Sequence, residues 1–419
     1  MFETRNVKRH FPRFGALEII KYIGPGFLVT VGFIDPGNWA ANIAAGSIYG
    51  YHLLWMISLS TFMLIILQHN AAHLGIVTGL CLSEASTKFL GRWAAKISLA
   101  SAMGAAIATA LAEILGAAIG LQMLFRIPLT IGATLTAILV IWMLISNTYR
   151  KLEKWIIGFV SLIGLSFIFE LILVKLQWSE ALLNWFVPSV PAGSLPIVMS
   201  VLGAVVMPHN IFLHSEIIQS RQWNIRGEEQ IKKQLKYEFT DTLAAMMAGW
   251  AINSAIILVA ASVFYSRGIV VTELSQAQVT LKPIAGDFAA IVFGVALIFA
   301  GFSSSITAAM SGGSIFAGIF REPFDISDSH SRTGVIITIG GGLLVVFFIK
   351  DPFQGLIWSQ IALSIQLPWT IFSLIFLTSS HRVMGKFANT RNSKVLLWFI
   401  FAVVFLLNIL LVLQIIRGL

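Results

Sequence analysis

The chain has 419 residues, of which 57% are apolar and only 11% charged. Soluble domains run at roughly 45–50% apolar and about 25% charged, which excludes a soluble enzyme of ordinary composition; 31 Phe and 12 Trp likewise exclude a disordered scaffold. The lone Cys81 excludes a disulfide framework or a Cys-cluster metal site, and a net charge of +9 in so apolar a chain points to basic loops on an anionic leaflet, not to nucleic acid.

In chain order, residues 1–22 carry Arg and Lys without a cleavable apolar leader and read as a cytoplasmic tail. Crossing a bilayer takes about 20 mostly apolar residues. Eleven runs qualify: 23–49, 53–75, 95–123, 128–147, 154–176, 194–219, 240–265, 286–316, 334–349, 354–379 and 395–416. With the N-terminus inside, 22 of the 28 Lys and Arg residues fall on the cytoplasmic side. The positive-inside rule therefore predicts a cytoplasmic N-terminus and an external C-terminus. No Asn-x-Ser/Thr acceptor occurs, which suits a bacterial inner membrane.

Of the prolines, Pro36, Pro208 and Pro368 lie deep inside an apolar run. A proline there removes a helical hydrogen bond, and in lipid the freed groups need another partner. Asp35-Pro36-Gly37-Asn38 in span 1 and Met207-Pro208-His209-Asn210 in span 6 both read x-Pro-x-Asn. Span 1 starts inside and span 6 outside, so residues 23–176 and 194–379 form two five-helix units of opposite orientation, with 395–416 as an added helix. Paired interrupted helices in corresponding positions mark a transporter site at the midplane. Pro368 reads as an ordinary kink.

Asp35 in mid-span costs at least about 2.5–3.5 kcal/mol unless a cation, a proton or a basic partner holds it. Asn38 adds a second hard oxygen, and unwinding at Pro208 frees carbonyls, Ala204 first. Met207 adds a thioether, which has little use for Mg²⁺ or Ca²⁺ but ligates softer ions. Taken singly, such a methionine is core filler; before a broken proline and with Asp35, it completes a divalent transition-metal site. His209 and His214 follow in the same span as groups able to exchange a proton near neutral pH.

These two motifs, with Leu213-His214-Ser215 after the second, resemble the signatures of the Nramp family of divalent metal transporters. Gly24-Pro25, Gln68, Leu74-Gly75, Thr78-Gly79, Leu111-Ala112-Glu113, Gly116-Ala117-Ala118-Ile119-Gly120, Ser359-Gln360 and Gln366-Leu367-Pro368 extend the resemblance over almost the whole chain. It implies an all-α membrane protein of the LeuT type that takes up Mn²⁺ or Fe²⁺ by alternating access, usually with protons. Carried over by motif, the substrate ion is held by Asp35, Asn38, Met207 and the Ala204 carbonyl, with Gln360 joining in some states. Glu113 and His209 belong to the proton pathway. No cofactor and no protein partner are implied; the partners are the metal ion, protons and the bilayer.

Two departures fall on the proton route. The family usually has an Asp where Ala110 stands, and often an arginine pair where Arg332 is followed by Thr333 and Gly334. Gly301-Phe302 also replaces a common Gly-Gln. Weak or absent proton coupling is therefore expected, with the metal site intact. Glu170 reads equally as a structural hydrogen bond or a gate. Asp241 and Asp287 read as acidic residues at helix starts, and the small-residue stretches at 101–120 and 299–315 as helix-packing faces. His69 and His73, spaced i, i+4, lack a nearby acid for a metal site. A sodium-coupled amino-acid or organic-solute carrier shares the fold class, but such a site has no use for a thioether beside an aspartate. A passive channel is the third reading, and no nucleophile–base pair suggests an enzyme.

Overall fold

A computed structural model of the chain describes residues 35–146, 164, 169, 171–172, 174–219, 227–281 and 286–417. Its helices are α1 (Pro36–Tyr49), α2 (Leu54–Thr78), α3 (Leu82–Phe89), α4 (Arg92–Phe125), α5 (Leu129–Ile145), α6 (Trp178–Phe186) and α7 (Leu195–Val205). They continue with α8 (Pro208–Gln219), α9 (Glu228–Val263), α10 (Ala289–Ile319), α11 (Ser329–Val346), α12 (Pro352–Thr378), α13 (His381–Met384) and α14 (Arg391–Arg417). No strand occurs among the described residues. Seven segments there are long and apolar enough to cross a membrane: Leu54–Thr78, Arg92–Phe125, Leu195–Gln219, Glu228–Arg267, Gly286–Ile319, Pro352–Thr378 and Arg391–Ile416. The apolar α5 is shorter, at 17 residues. The first part of span 1, most of span 5 and Glu170 lie outside the described residues.

The local signals act where sequence places them. Asp35 is the N-cap of α1, and Pro36 holds the first helical position, where a missing N–H costs nothing. Gly79, at φ 68°, ends α2 in the left-handed conformation that glycine adopts without strain. Span 6 divides at Val206 and Met207, giving α7 and α8. Pro368, by contrast, sits inside a continuous α12. The carbonyl it deprives, Ser364 O, accepts instead from Asn408 Nδ2 of α14 at 3.1 Å. One expectation fails: α9 begins at Glu228, so Asp241 lies within the helix, and Glu228 and Glu229 are the acidic residues of its first turn. The helix includes a charged segment, 228–239, that apolar run length alone places outside it.

The helix α4 is central, packed against α10, α11, α12 and α5. Its small residues allow this. A Cβ on Gly301 of α10 would stand 2.5 Å from the Glu113 carbonyl, and one on Gly120 2.6 Å from that of Gly294. Both expected small-residue stretches are thus close-packing faces, where dispersion replaces the hydrophobic drive that lipid cannot supply. Against this centre, α1 lies among α9, α7, α12 and α4. At the periphery α14 exposes Val395, Phe399, Leu406 and Ile416, an outward apolar face suited to acyl chains.

Candidate metal centre at the helix breaks

Asp35 is buried, 1% exposed. Its Oδ1 accepts from the Asn38 backbone N–H at 2.5 Å, which satisfies one orphan donor of the α1 N-terminus. Among the described residues its Oδ2 accepts no hydrogen bond. An unpaired carboxylate oxygen in an apolar interior is costly unless a proton or cation meets it. Asn38 is also fully buried: its Nδ2 donates to Asn253 Oδ1 of α9 at 2.8 Å, and its Oδ1 accepts from Asn42 Nδ2 at 2.9 Å. Asn42 Nδ2 reaches Asn253 Oδ1 as well, at 3.0 Å. Asn42 and Asn253 therefore lock the Asn38 amide in place.

Gln360 of α12 meets the same turn of α1, because a Cβ on Gly37 would stand 2.0 Å from Gln360 Nε2. Its Oε1 is buried and unpartnered. Gly203 packs equally closely on the other side, its virtual Cβ 1.8 Å from the Gln360 carbonyl. Ala204 is the next residue. Pro208, four residues on, has no N–H to give the Ala204 carbonyl. Met207 is buried with Ala105 of α4 and Leu363 of α12, and its sulfur accepts from Asn210 Nδ2 at 3.2 Å. The structure thus brings Asp35, Asn38, Ala204 and Gln360 to the junction of α1, α7 and α12, and Met207 to the α4–α12 side of the break.

The expected proton residues separate into groups. Glu113 is buried, with the Ser304 hydroxyl of α10 beside its carboxylate, and it lies close enough to Asp35 for the two carboxylates to interact. His209 Nδ1 pairs with Thr109 Oγ1 of α4 at 3.0 Å, and its carbonyl accepts from Ser311 Oγ at 2.5 Å. His214 faces away from this centre, toward Glu238 of α9. Arg332 is exposed at the start of α11, its Nε bonded to the Ile326 carbonyl at 2.8 Å, and it joins none of these groups. Ala110 is fully buried under Gly342 of α11, whose virtual Cβ would stand 3.0 Å from the Ala110 Cβ.

Asn42, Asn253 and Glu238 were missed by sequence reasoning. Asn42 carries a signal, at i+4 from Asn38 on one helix face; Asn253 and Glu238 were findable only as polar residues within an apolar span. Glu84, outside the spans on α3, is another: burial raises its carboxyl above the ordinary carboxylate range while Gln219 Nε2 donates to it at 2.5 Å.

Several apolar helices, one of them interrupted, with buried unpaired oxygens at the interruption, define a polytopic α-helical membrane protein with a polar centre. The chain belongs to the Nramp family: the family described as natural resistance-associated macrophage protein-like matches residues 26–414. It is 38% identical over 406 residues to a divalent metal cation transporter MntH of Caldanaerobacter subterraneus subsp. tengcongensis, covering 96% of this chain and 94% of that one. It is 35% identical over 411 residues to the MntH of Clostridium acetobutylicum, covering 97% and 92%. Among solved structures, it is similar to a manganese transporter of Eremococcus coleocola, with TM-score 0.79, 28% identity and coverage of 96% and 88%. The fold also extends to Mhp1, a nucleobase-cation-symport-1 family transporter, with TM-score 0.62 at 16% identity over 89% and 81%.

Proposed function

We propose that the chain imports divalent transition-metal ions, Mn²⁺ or Fe²⁺ with Cd²⁺ and Co²⁺ also accepted, by alternating access across a bacterial inner membrane. It is a transporter, not an enzyme. In this reading eleven spans form a LeuT-type inverted repeat, 23–176 and 194–379, plus 395–416, with the N-terminus cytoplasmic and the C-terminus outside. The substrate ion takes Asp35, Asn38, the Ala204 carbonyl and Met207 as donors, and Gln360 in some states. The observation that carries it is that Asp35 Oδ2 and Gln360 Oε1 are both buried and unpartnered among the described residues, with Gln360 packed on Gly37 of α1, and that Pro208 has no N–H to give the Ala204 carbonyl. Family membership and the names of the relatives support it. An organic-solute carrier is not favoured, because the relatives are divalent metal cation transporters and such a carrier has no use for a thioether beside an aspartate. Mn²⁺ uptake into proteoliposomes tests the whole reading; absence of uptake with folded protein refutes it.

Selectivity rests on Met207. Replacing it with alanine leaves an oxygen-only site, which suits hard cations. Met207→Ala is expected to weaken Cd²⁺ transport about tenfold and to relax rejection of Mg²⁺ and Ca²⁺, as competition uptake would show. An unchanged Cd²⁺ preference means that the sulfur, held by Asn210, only fills space.

Proton coupling is weak or absent in this reading. Glu113 and His209 remain, but Ala110 supplies no acid, Gly342 of α11 fills the space beside it, and Arg332 points elsewhere. A relay needs polar groups or water in contact, and the Gly342 backbone packs on Ala110 where the family's acid would stand. Intravesicular acidification during Mn²⁺ uptake at clamped voltage is expected to show no fixed proton-to-metal ratio across several pH gradients. A constant ratio would establish that Glu113 and His209 suffice.

A further inference from the structure

Away from the metal centre, one buried carboxylate is bracketed by two imidazoles. Glu238 of α9 is 4% exposed. Its Oε2 lies 2.7 Å from His69 Nδ1 of α2, and its Oε1 lies 3.4 Å from His214 Nε2 of α8. Thr242 Oγ1 donates to Oε1 at 2.6 Å. The other titratable group facing the cluster is His73, one turn along α2, its ring parallel to that of His69 at 6.2 Å. Phe239 closes the remaining side, edge-on to His69 at 5.1 Å. Among the described residues Glu238 has no Lys or Arg as an ion-pair partner. The His69 side chain is 28% exposed, and the His214 side chain 1%.

A buried carboxylate without a cation is unfavourable as an anion, and imidazole is the group that changes charge near neutral pH. The inexpensive state of the cluster is the one holding one shared proton, with zero net charge. His69 gives that proton a way in and out. The three helices tied together are not arbitrary: α8 is the half-helix that begins at the span 6 break, and His214 lies seven residues, about 10 Å of helix, beyond Met207. Without that proton, the His214–Glu238 contact between α8 and α9 and the His69–Glu238 contact between α2 and α9 lose their charge assistance.

We propose that His69, Glu238 and His214 form a proton-binding site separate from the metal centre, whose occupancy is exchanged through His69 and controls the release of α8 from α2 and α9. The ends of α2 and α8 and the start of α9 lie on the side that the proposed topology assigns to the cytoplasm, so the site responds to cytoplasmic pH. It requires no transmembrane proton flux. The effect on transport rests on the reading of the chain as a metal carrier; the proton binding does not.

Two readouts keep these apart. Potentiometric titration of purified, metal-free protein is expected to find fewer protons bound at pH 7 in Glu238→Gln than in the unmutated chain, by about half a proton, because a glutamine gives the imidazoles no anion to neutralise. In vesicles with internal and external pH set separately, Mn²⁺ uptake by the unmutated protein is expected to change about threefold or more as cytoplasmic-side pH moves from about 5.5 to 7.5. In Glu238→Gln the change falls below about 1.5-fold, and in His69→Gln its midpoint moves. Thermal melting and Mn²⁺ affinity report that each variant is folded; His69, being partly exposed, supplies a second variant should Glu238→Gln fail. An equal proton count in mutant and unmutated protein overturns the proposal, as does a uniform loss of rate at every pH. If the unmutated chain moves no Mn²⁺, the carrier reading falls and the titration still decides this site.

Discussion

Asp35→Ala is expected to lower Mn²⁺ affinity by at least about a hundredfold, since removing one partner of a buried charge pair typically costs about 3–5 kcal/mol. The variant also removes the N-cap of α1, where Asp35 Oδ1 accepts from the Asn38 N–H, and losing a cap costs about 0.5–2 kcal/mol. Asp35→Asn separates the two losses, because asparagine caps as well as aspartate but carries no charge. Both variants are expected to lose metal in calorimetry, whereas only the alanine form melts earlier. Near-native affinity in Asp35→Asn would place the ion elsewhere.

The second large effect comes from a residue that offers the ion no donor. A Cβ on Gly116 of α4 would stand 2.1 Å from Pro36 Cβ and 2.2 Å from its Cγ. The proline ring cannot rotate away as a flexible side chain would, so the start of α1 must move. Gly116→Val is therefore expected to reduce Mn²⁺ uptake about tenfold or more, with Asp35, Asn38, Ala204 and Met207 all present; overpacking of this kind costs about 1–3 kcal/mol. Gly104, which has open space around it, is the control: Gly104→Ala leaves uptake unchanged. Normal transport by Gly116→Val would mean that α1 tolerates displacement at the very residue where its helix begins.

Much of this was legible because the signals are local. A proline flanked by polar residues in an apolar run announces a break: span 6 divides at Val206 and Met207, just before Pro208, His209 and Asn210, whereas Pro368 leaves α12 continuous. Small residues in series announce a close helix pair, and α4 against α10 is that pair. What was not legible depends on how helices are rotated against each other. His69 and His73 looked like a pair without an acid, although Glu238 lies 169 positions from His69 in sequence. Asn253 was one asparagine in an apolar stretch until α9 packed on α1 and set it against both Asn38 and Asn42. Asp241 misled for another reason: the edge of an apolar run marks the edge of the bilayer, not the end of the helix, and α9 continues past it.

The Asn408 bond to Ser364 gives α14 a structural duty within the core. Ser364 is one turn beyond Gln360 on α12, and its side chain also donates to the Met199 carbonyl of α7. Asn408 donates to the Val404 carbonyl of its own helix at 2.9 Å, so the amide bridges two backbones. Without α14, the carbonyl that Pro368 leaves open would face hydrocarbon, where an unsatisfied peptide group costs several kcal/mol, and α12 would be free to bend at the turn that presents Gln360 to α1. This peripheral helix thereby acts as a splint for the wall that carries Gln360.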